Sequence, residues 1–480
     1  MLQASSEPPS SSAFASPSAP AVEVPLPGLW KVTWPLFISL GLSLSLHFTD
    51  AFFLSRISDA AAAAAGAINP LLAATIVLFS AIGQAGASVA GRLLGAGRHA
   101  ELPRTYLALL SFNLVVGLVV SALLFSLHPF VPGWLGLSGA AAESAQVYLA
   151  VMGGFQFLKA IQLAYGNILN SRGETRWVMV EAVATNVANI GLNVALYHGL
   201  FGLRQSVGAV AGATVIALAF GMLFTIAVVH LRFKVRLPLG ISMAELRRAL
   251  RPVLGIGLPG ASEPVAYQGA QITINLLVIS LGAAALATRT YVLSFVTITS
   301  LLLSIALGVG TQIAVAHRVG AGRFDEANAE LHKALWYAVA GSGLIALLLA
   351  LFHRPLLGLL TSDPEIIGLA APLFALGVLV EMGRAVNIVA GGALRSSGDA
   401  KFTAIVGSAL MWGLGVPCAY LFGGVLGWGL TGVWLSMAID ETVRGVVNYR
   451  RWRSGRWRAA SALPPEHSAT LPPAVGDALA

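Results

Sequence analysis

Twelve stretches of about 20 or more mostly apolar residues follow one another along the chain, each long enough to cross a bilayer as an α-helix. They predict spans at 33–55, 66–91, 105–127, 144–166, 177–199, 207–230, 253–279, 286–316, 333–352, 367–393, 402–423 and 428–449. Short polar breaks separate all but the sixth and seventh. There Arg232, Lys234, Arg236, Arg247, Arg248 and Arg251 gather around an amphipathic stretch. The expected organisation is a tail over 1–28, an N-lobe of six spans over 29–231, a basic linker over 232–252, a C-lobe of six spans over 253–450, and a second tail over 451–480. Both tails are rich in Ser, Pro and Ala and are expected to be disordered; the first lacks the basic start and apolar core of a signal peptide.

The halves repeat at a constant offset. Gly95-Ala96-Gly97-Arg98 answers to Gly320-Ala321-Gly322-Arg323, and Gly166, Leu169, Ser171, Gly173 and Glu174 answer to Gly391, Leu394, Ser396, Gly398 and Asp399. Asp50 falls opposite Asn275. Several matches at one offset indicate duplication. Each copy holds an even number of spans, so the copies enter the membrane from the same side, related by an axis along its normal. The predicted fold is an all-α integral membrane protein of two pseudo-symmetric six-helix lobes around a central cleft, the plan of an alternating-access transporter.

Composition agrees. Of 480 residues, 56% are hydrophobic and 10% charged, with a mean hydropathy of +0.79. That leaves too little polar surface for a soluble enzyme. One cysteine, Cys418, and nine scattered histidines signal neither a disulfide framework nor a metal site. The excess of Lys and Arg, 29 against 21 acidic residues, reads as topology rather than nucleic-acid binding, because most of the 29 fall in the tails and even-numbered loops. The odd-numbered loops hold Arg56, Arg204, Arg289 and Arg354. Both termini are therefore expected in the cytoplasm of a bacterial inner membrane.

Charges inside the spans are costly and mark pathways. Asp50, Lys159, Glu263, Glu381 and Arg384 are the candidates, Glu263 and Glu381 near the midplane by helical rise from Arg251 and Arg395. Together they carry about one excess negative charge, suited to a cation or an exchangeable proton. Glu381 and Arg384, spaced i, i+3, equally fit a structural pair; Glu263 has no local partner. Amides extend these positions as polar stripes: Asn186, Asn189 and Asn193 in span five, Gln156 and Gln162 around Lys159, Gln268, Gln271 and Asn275 after Glu263, and Asn387 after Glu381. Pro35 and Pro259 fit hinges and rigid kinks alike.

Phe48-Thr49-Asp50-Ala51-Phe52-Phe53, the repeated Gly-Ala-Gly loop, Leu258-Pro259 before Glu263, and Glu381-x-x-Arg384-x-x-Asn387 leading to Ala393-Leu394-Arg395-Ser396-Ser397-Gly398-Asp399 together resemble the multidrug and toxic compound extrusion (MATE) family over about residues 30–450. The resemblance implies an antiporter exporting organic cations or amphipathic drugs in exchange for H⁺ or Na⁺, acting as a monomer in the bilayer, with no other cofactor. It maps the family's first-span acid onto Asp50, its seventh-span glutamate onto Glu263, and its fifth-span pair onto Asn189 and Asn193, the second being Asn rather than Asp. The tenth-span acid of sodium-binding members falls on Arg384, whose fixed charge would repel Na⁺; H⁺ is the expected ion. The expected cycle protonates Asp50 or Glu263 from outside, releases the cation, and lets the lobes rock inward. Alternatives in the same architecture are a flippase for a lipid-linked oligosaccharide or other precursor, which would want a more basic cavity, and another twelve-span secondary transporter. No nucleophile, metal cluster or phosphate loop points to an enzyme.

Overall fold

A computed structural model describes residues 26–199, 205–238 and 240–463, and among these every regular element is helical. The first tail up to residue 25, Arg204 and the second tail from residue 464 lie outside the described residues. In the order of the chain the elements are α1 (Leu29–Ser55), α2 (Asp59–Gly95), α3 (Leu102–Leu127), α4 (Val131–Trp134), α5 (Gly139–Gly154), α6 (Gln156–Ser171), α7 (Thr175–Tyr197) and α8 (Val207–Ala227) in the first half. The second half has α9 (Met243–Ser280), α10 (Ala283–Val296), α11 (Leu302–Gly320), α12 (Phe324–Leu351), α13 (His353–Leu357), α14 (Pro364–Ser396), α15 (Ala400–Leu410), α16 (Val416–Ala419), α17 (Gly429–Arg453) and α18 (Trp457–Ala460). Helices are what lipid requires, since each backbone donor and acceptor must then be satisfied within its own segment.

Nine of these helical runs are long and apolar enough to span, and the bent pair α5 and α6 makes a tenth. The remaining two, α9 and α17, are 38 and 25 residues long but too polar to pass the same test. In α17 the polar character comes from the buried charges Asp440, Glu441 and Arg444, and in α9 from Glu263 and the amides Gln268, Gln271 and Asn275. Helix ends repeat with the sequence: α2 and α11 end at Gly95 and Gly320, α6 and α14 at Ser171 and Ser396, and α7 and α15 begin at Thr175 and Ala400. The symmetry fails at Phe155, where α5 and α6 meet at 40° while α14 runs on unbroken. π-helical turns instead interrupt the C-lobe, at Thr297–Leu301, Met411–Gly415 and Tyr420–Val425. Pro35 and Pro259 lie inside continuous helices.

Two regions differ from the expected boundaries. The basic linker is not separate from span seven, because Ser242 and Glu245 form a capping box that starts α9 at Met243. The chain also stays ordered past 450: α17 continues to Arg453, and α18 returns so that the Trp452 and Trp457 rings stack at 4.2 Å, both 2% exposed.

Among the described residues, the lobes touch at the end of the basic loops. There α2 crosses α11 so closely that a Cβ on Gly95 would lie 1.9 Å from the His317 carbonyl oxygen, and one on Gly320 would lie 2.0 Å from that of Arg92. These two contacts exchange under the repeat, so the crossing sits on the pseudo-two-fold axis. Val32 and Leu36 of α1 pack on Ala306 and Ile313 of α11. Gly257 of α9 packs on Ile82 of α2, and Gln312 donates to Ser88 across the lobes at 3.0 Å. At the far end each lobe closes its own core: Phe53, Ala61, Tyr148 and Val210 in one, Leu277, Leu357, Leu373 and Trp434 in the other. The cleft is thus sealed at the end bearing the termini and open at the opposite end.

Candidate functional site

Asp50 is placed by the last two turns of α1 and is 2% exposed. Its carboxylate accepts from the Thr214 hydroxyl at 2.8 and 2.9 Å and from the Asn189 amide nitrogen at 3.3 Å; that amide also donates to Thr214 Oγ1 at 2.9 Å. All its partners are neutral, and among the described residues no Lys, Arg or His pairs with it. Asn193, 1% exposed, donates to the Asn189 carbonyl oxygen of its own helix at 3.1 Å. The side-chain oxygens of Asn189 and Asn193 are buried without a donor. The Asp50 group can therefore accept a further hydrogen.

Lys159 belongs to a second N-lobe chain. It donates to Gln162 at 3.1 Å, Gln162 donates to Glu181, and Thr185 donates to the same Glu181 oxygen at 2.7 Å. Gly221 of α8 makes room, since a Cβ there would clash with all three of Thr185, Glu181 and Gln162. Gln156, at the break between α5 and α6, accepts from Thr75 at 3.2 Å.

Glu263 pairs with Arg395 at 3.1 Å, both side chains partly exposed. Gly407 packs on Glu263 and Gly415 on Asp440. Eight residues of helical rise separate those glycines, about 12 Å. Glu263 thus sits toward the sealed end, held by Arg395, and not at the midplane expected from its rise after Arg251 or at the level of the buried C-lobe charges.

Glu381 and Arg384 sit among those charges, bonded at 2.5 Å. Arg384 also reaches Glu441 of α17 at 3.3 Å, Asn387 donates to Glu441 at 3.0 Å, and Arg444 contacts Glu441 at 3.0 Å and Asp440 at 2.7 Å. Asn448 donates to Asn387 at 2.9 Å. Gln271 and Asn275 both accept from Arg289, at 2.7 and 2.9 Å. Arg289 lies within α10 and is 9% exposed, which corrects its assignment to a loop.

The structure therefore joins Asp50 with Asn189, and Glu381 with Arg384 and Asn387, but leaves Lys159, Gln156 and Glu263 in separate contacts. Sequence reasoning missed Thr214, Glu181, Arg289, Asp440, Glu441 and Arg444. For the last three a signal existed: two acids one turn before an arginine inside span twelve. Thr214 carried none, because a lone threonine in an apolar helix is ordinary. Among the described residues no group of three His, Cys, Asp or Glu could hold a metal ion.

The MatE family profile matches residues 35–195 and 259–421, one stretch in each lobe. An uncharacterized transporter of Bacillus subtilis, YisQ, is 35% identical over 430 residues, covering 89% of this chain and 94% of its own. The probable multidrug resistance protein NorM of Thermotoga maritima is 24% identical over 91% of this chain and 94% of its own. The multidrug resistance protein PmpM of Pseudomonas aeruginosa is 25% identical, over 88% and 90%. A crystal structure of MATE in the bent conformation superposes with a TM-score of 0.81 at 20% identity, over 90% of this chain and 95% of that one. An outward-facing multidrug resistance MATE family transporter superposes at 0.78 with 20% identity, over 90% and 96%.

Proposed function

The chain belongs to the MatE family, whose members are membrane transporters and not enzymes, and from that premise we propose that it exports organic cations or other amphipathic compounds across the bacterial plasma membrane in exchange for protons. Relatives named for multidrug resistance support the substrate class. The basic loops support cytoplasmic termini; in that orientation the sealed end faces the cytoplasm and the open cleft faces outward.

The observation that carries the coupling is Asp50: a carboxyl 2% exposed within a membrane lobe and bonded only to neutral groups. A charge so placed is costly unless a proton or cation joins it. Its neighbours turn an O–H and an N–H toward it, whereas a metal cation would need several oxygens converging at once. The proton is the ligand that this arrangement suits. In the proposed cycle a proton reaches Asp50 through the open cleft, rearranges the bonds to Thr214 and Asn189, and lowers affinity for the cation. The lobes then exchange sides, because proton and substrate favour different states.

Purified protein in liposomes, loaded with a fluorescent organic cation, tests this. Transport is expected to follow an imposed pH gradient, to ignore a Na⁺ gradient, and to fall at least about tenfold in Asp50→Asn, which keeps the shape and removes the titrating group. Transport driven by Na⁺ alone, or undiminished in that variant, would overturn the proposal.

A further inference from the structure

Five charged side chains buried in the C-lobe form one alternating chain: Glu381, Arg384, Glu441, Arg444 and Asp440, with successive contacts of 2.5, 3.3, 3.0 and 2.7 Å. Three carboxylates against two guanidiniums leave one negative charge in excess when all are ionised. The middle of the chain is saturated, since Glu441 receives both arginines and Asn387. The two ends are not. Glu381 Oε2 and Asp440 Oδ1 are buried oxygens without a hydrogen-bond partner.

The ends differ in what lies next to them. Glu381, 1% exposed, has the Ser300 hydroxyl beside it, while Asp440, 7% exposed, borders a cavity of about 20 Å³ with Tyr267, Gln271, Gly415 and Ser436. That is room for one water, enough to hand over a proton. Among the described residues the titratable and charged groups around this point are these, with Glu263 of α9 acting on it through Arg444. Glu441 and Arg444 come from its own helix, Glu381 and Arg384 from α14, Tyr267 from α9, and Arg289 from α10, the last held by Gln271 and Asn275. The segment Met411–Val416 across the cavity supplies only apolar side chains and Gly415. A metal cation would need several oxygens converging on this small space, whereas a proton needs one acceptor oxygen and adds no bulk.

We propose that Asp440 is a proton-binding group of the C-lobe, separate from Asp50. The proton adds to Oδ1 and makes a neutral carboxylic acid, Oδ2 still accepts from Arg444, and no other bond changes. The five-member chain thereby passes between about −1 and neutral, while the Arg289 guanidinium nearby stays bonded to the neutral Gln271 and Asn275. The assignment does not depend on the coupling ion at Asp50.

Infrared difference spectra of the full-length protein in nanodiscs, taken between alkaline and acid pH, read carboxylic-acid carbonyls directly. In an Asp50→Asn background one carbonyl band is expected to persist at acid pH; adding Asp440→Asn removes it, and Asp440→Glu restores it. On the wild-type chain a hydrophobic carbodiimide, which adds across a protonated carboxyl, is expected to modify Asp440 increasingly as pH falls and to spare Glu441, with the adduct located by peptide mass spectrometry. A band that survives Asp440→Asn, or an adduct on Glu381 or Glu441 or on none of the three, would overturn the assignment. Neither readout uses transport, so a Na⁺-driven result in liposomes would sink the Asp50 coupling and leave this site standing.

Discussion

At the scale of the residue, the two ion pairs that involve sequence candidates should behave oppositely. Arg384 lies between two carboxylates and is 5% exposed. Removing it as Arg384→Met strands Glu381, while Glu441 keeps Arg444 and Asn387, and a loss of about 3–5 kcal/mol is expected in thermal unfolding in detergent, as for other buried pairs deprived of one partner. Glu263 and Arg395 are partly exposed. A double-mutant cycle with Glu263→Gln and Arg395→Gln should give a coupling of about 1 kcal/mol or less. The contrast follows from solvent: water can replace a partner near the sealed face of the lobe and cannot do so deep inside it. Asp50 and Asn189 were legible in the sequence because a charge or amide inside an apolar span is improbable on composition alone. Thr214, their shared partner, was not, since hydroxyls satisfy themselves on their own helix and are common in spans.

At the scale of the element, α2 and α11 act as the clasp of the closed end. Backbone contact across Gly95 and Gly320 leaves no space for a methyl group, so Gly320→Ala should hold the crossing open. Ser88, 2% exposed within the seal, reports on it. In a Cys418→Ser background, Ser88→Cys is expected to react with a maleimide several-fold faster when Gly320→Ala is present than when it is absent. An unchanged rate would show that the glycines are not what lets the lobes close. Repeated glycines were visible in the sequence as a duplicated loop. That each presses against the backbone of the other half was not, because a repeat identifies equivalent positions without saying which of them meet.

At the scale of the whole molecule, the charge pattern orients the chain and the packing sets its state. An impermeant maleimide added to intact cells is expected to label Ser55→Cys, exposed at the open end, and to miss Ser242→Cys, exposed at the sealed end, until the membrane is broken. The reverse labelling would invert the proposed direction of the cleft. Ten of the spans and the offset between halves follow from apolar run length and internal repetition, both local properties of the chain. The helices extend past most expected ends, because a helix outlasts the hydrocarbon layer that marks it.

Apolar runs, loop charges and repeated tetrapeptides were enough to determine an all-α membrane protein of two related lobes, since lipid leaves the backbone almost no other choice. Only the tertiary structure decided which charges meet: it gave Glu263 to Arg395, drew Arg289 into the C-lobe interior, and set Asp440 and Glu441 of the last long helix beside Arg384 of α14. Those encounters join residues as far as 132 positions apart. Spacing along one helix shows which side chains share its face, but which helix that face meets depends on how all the spans pack together.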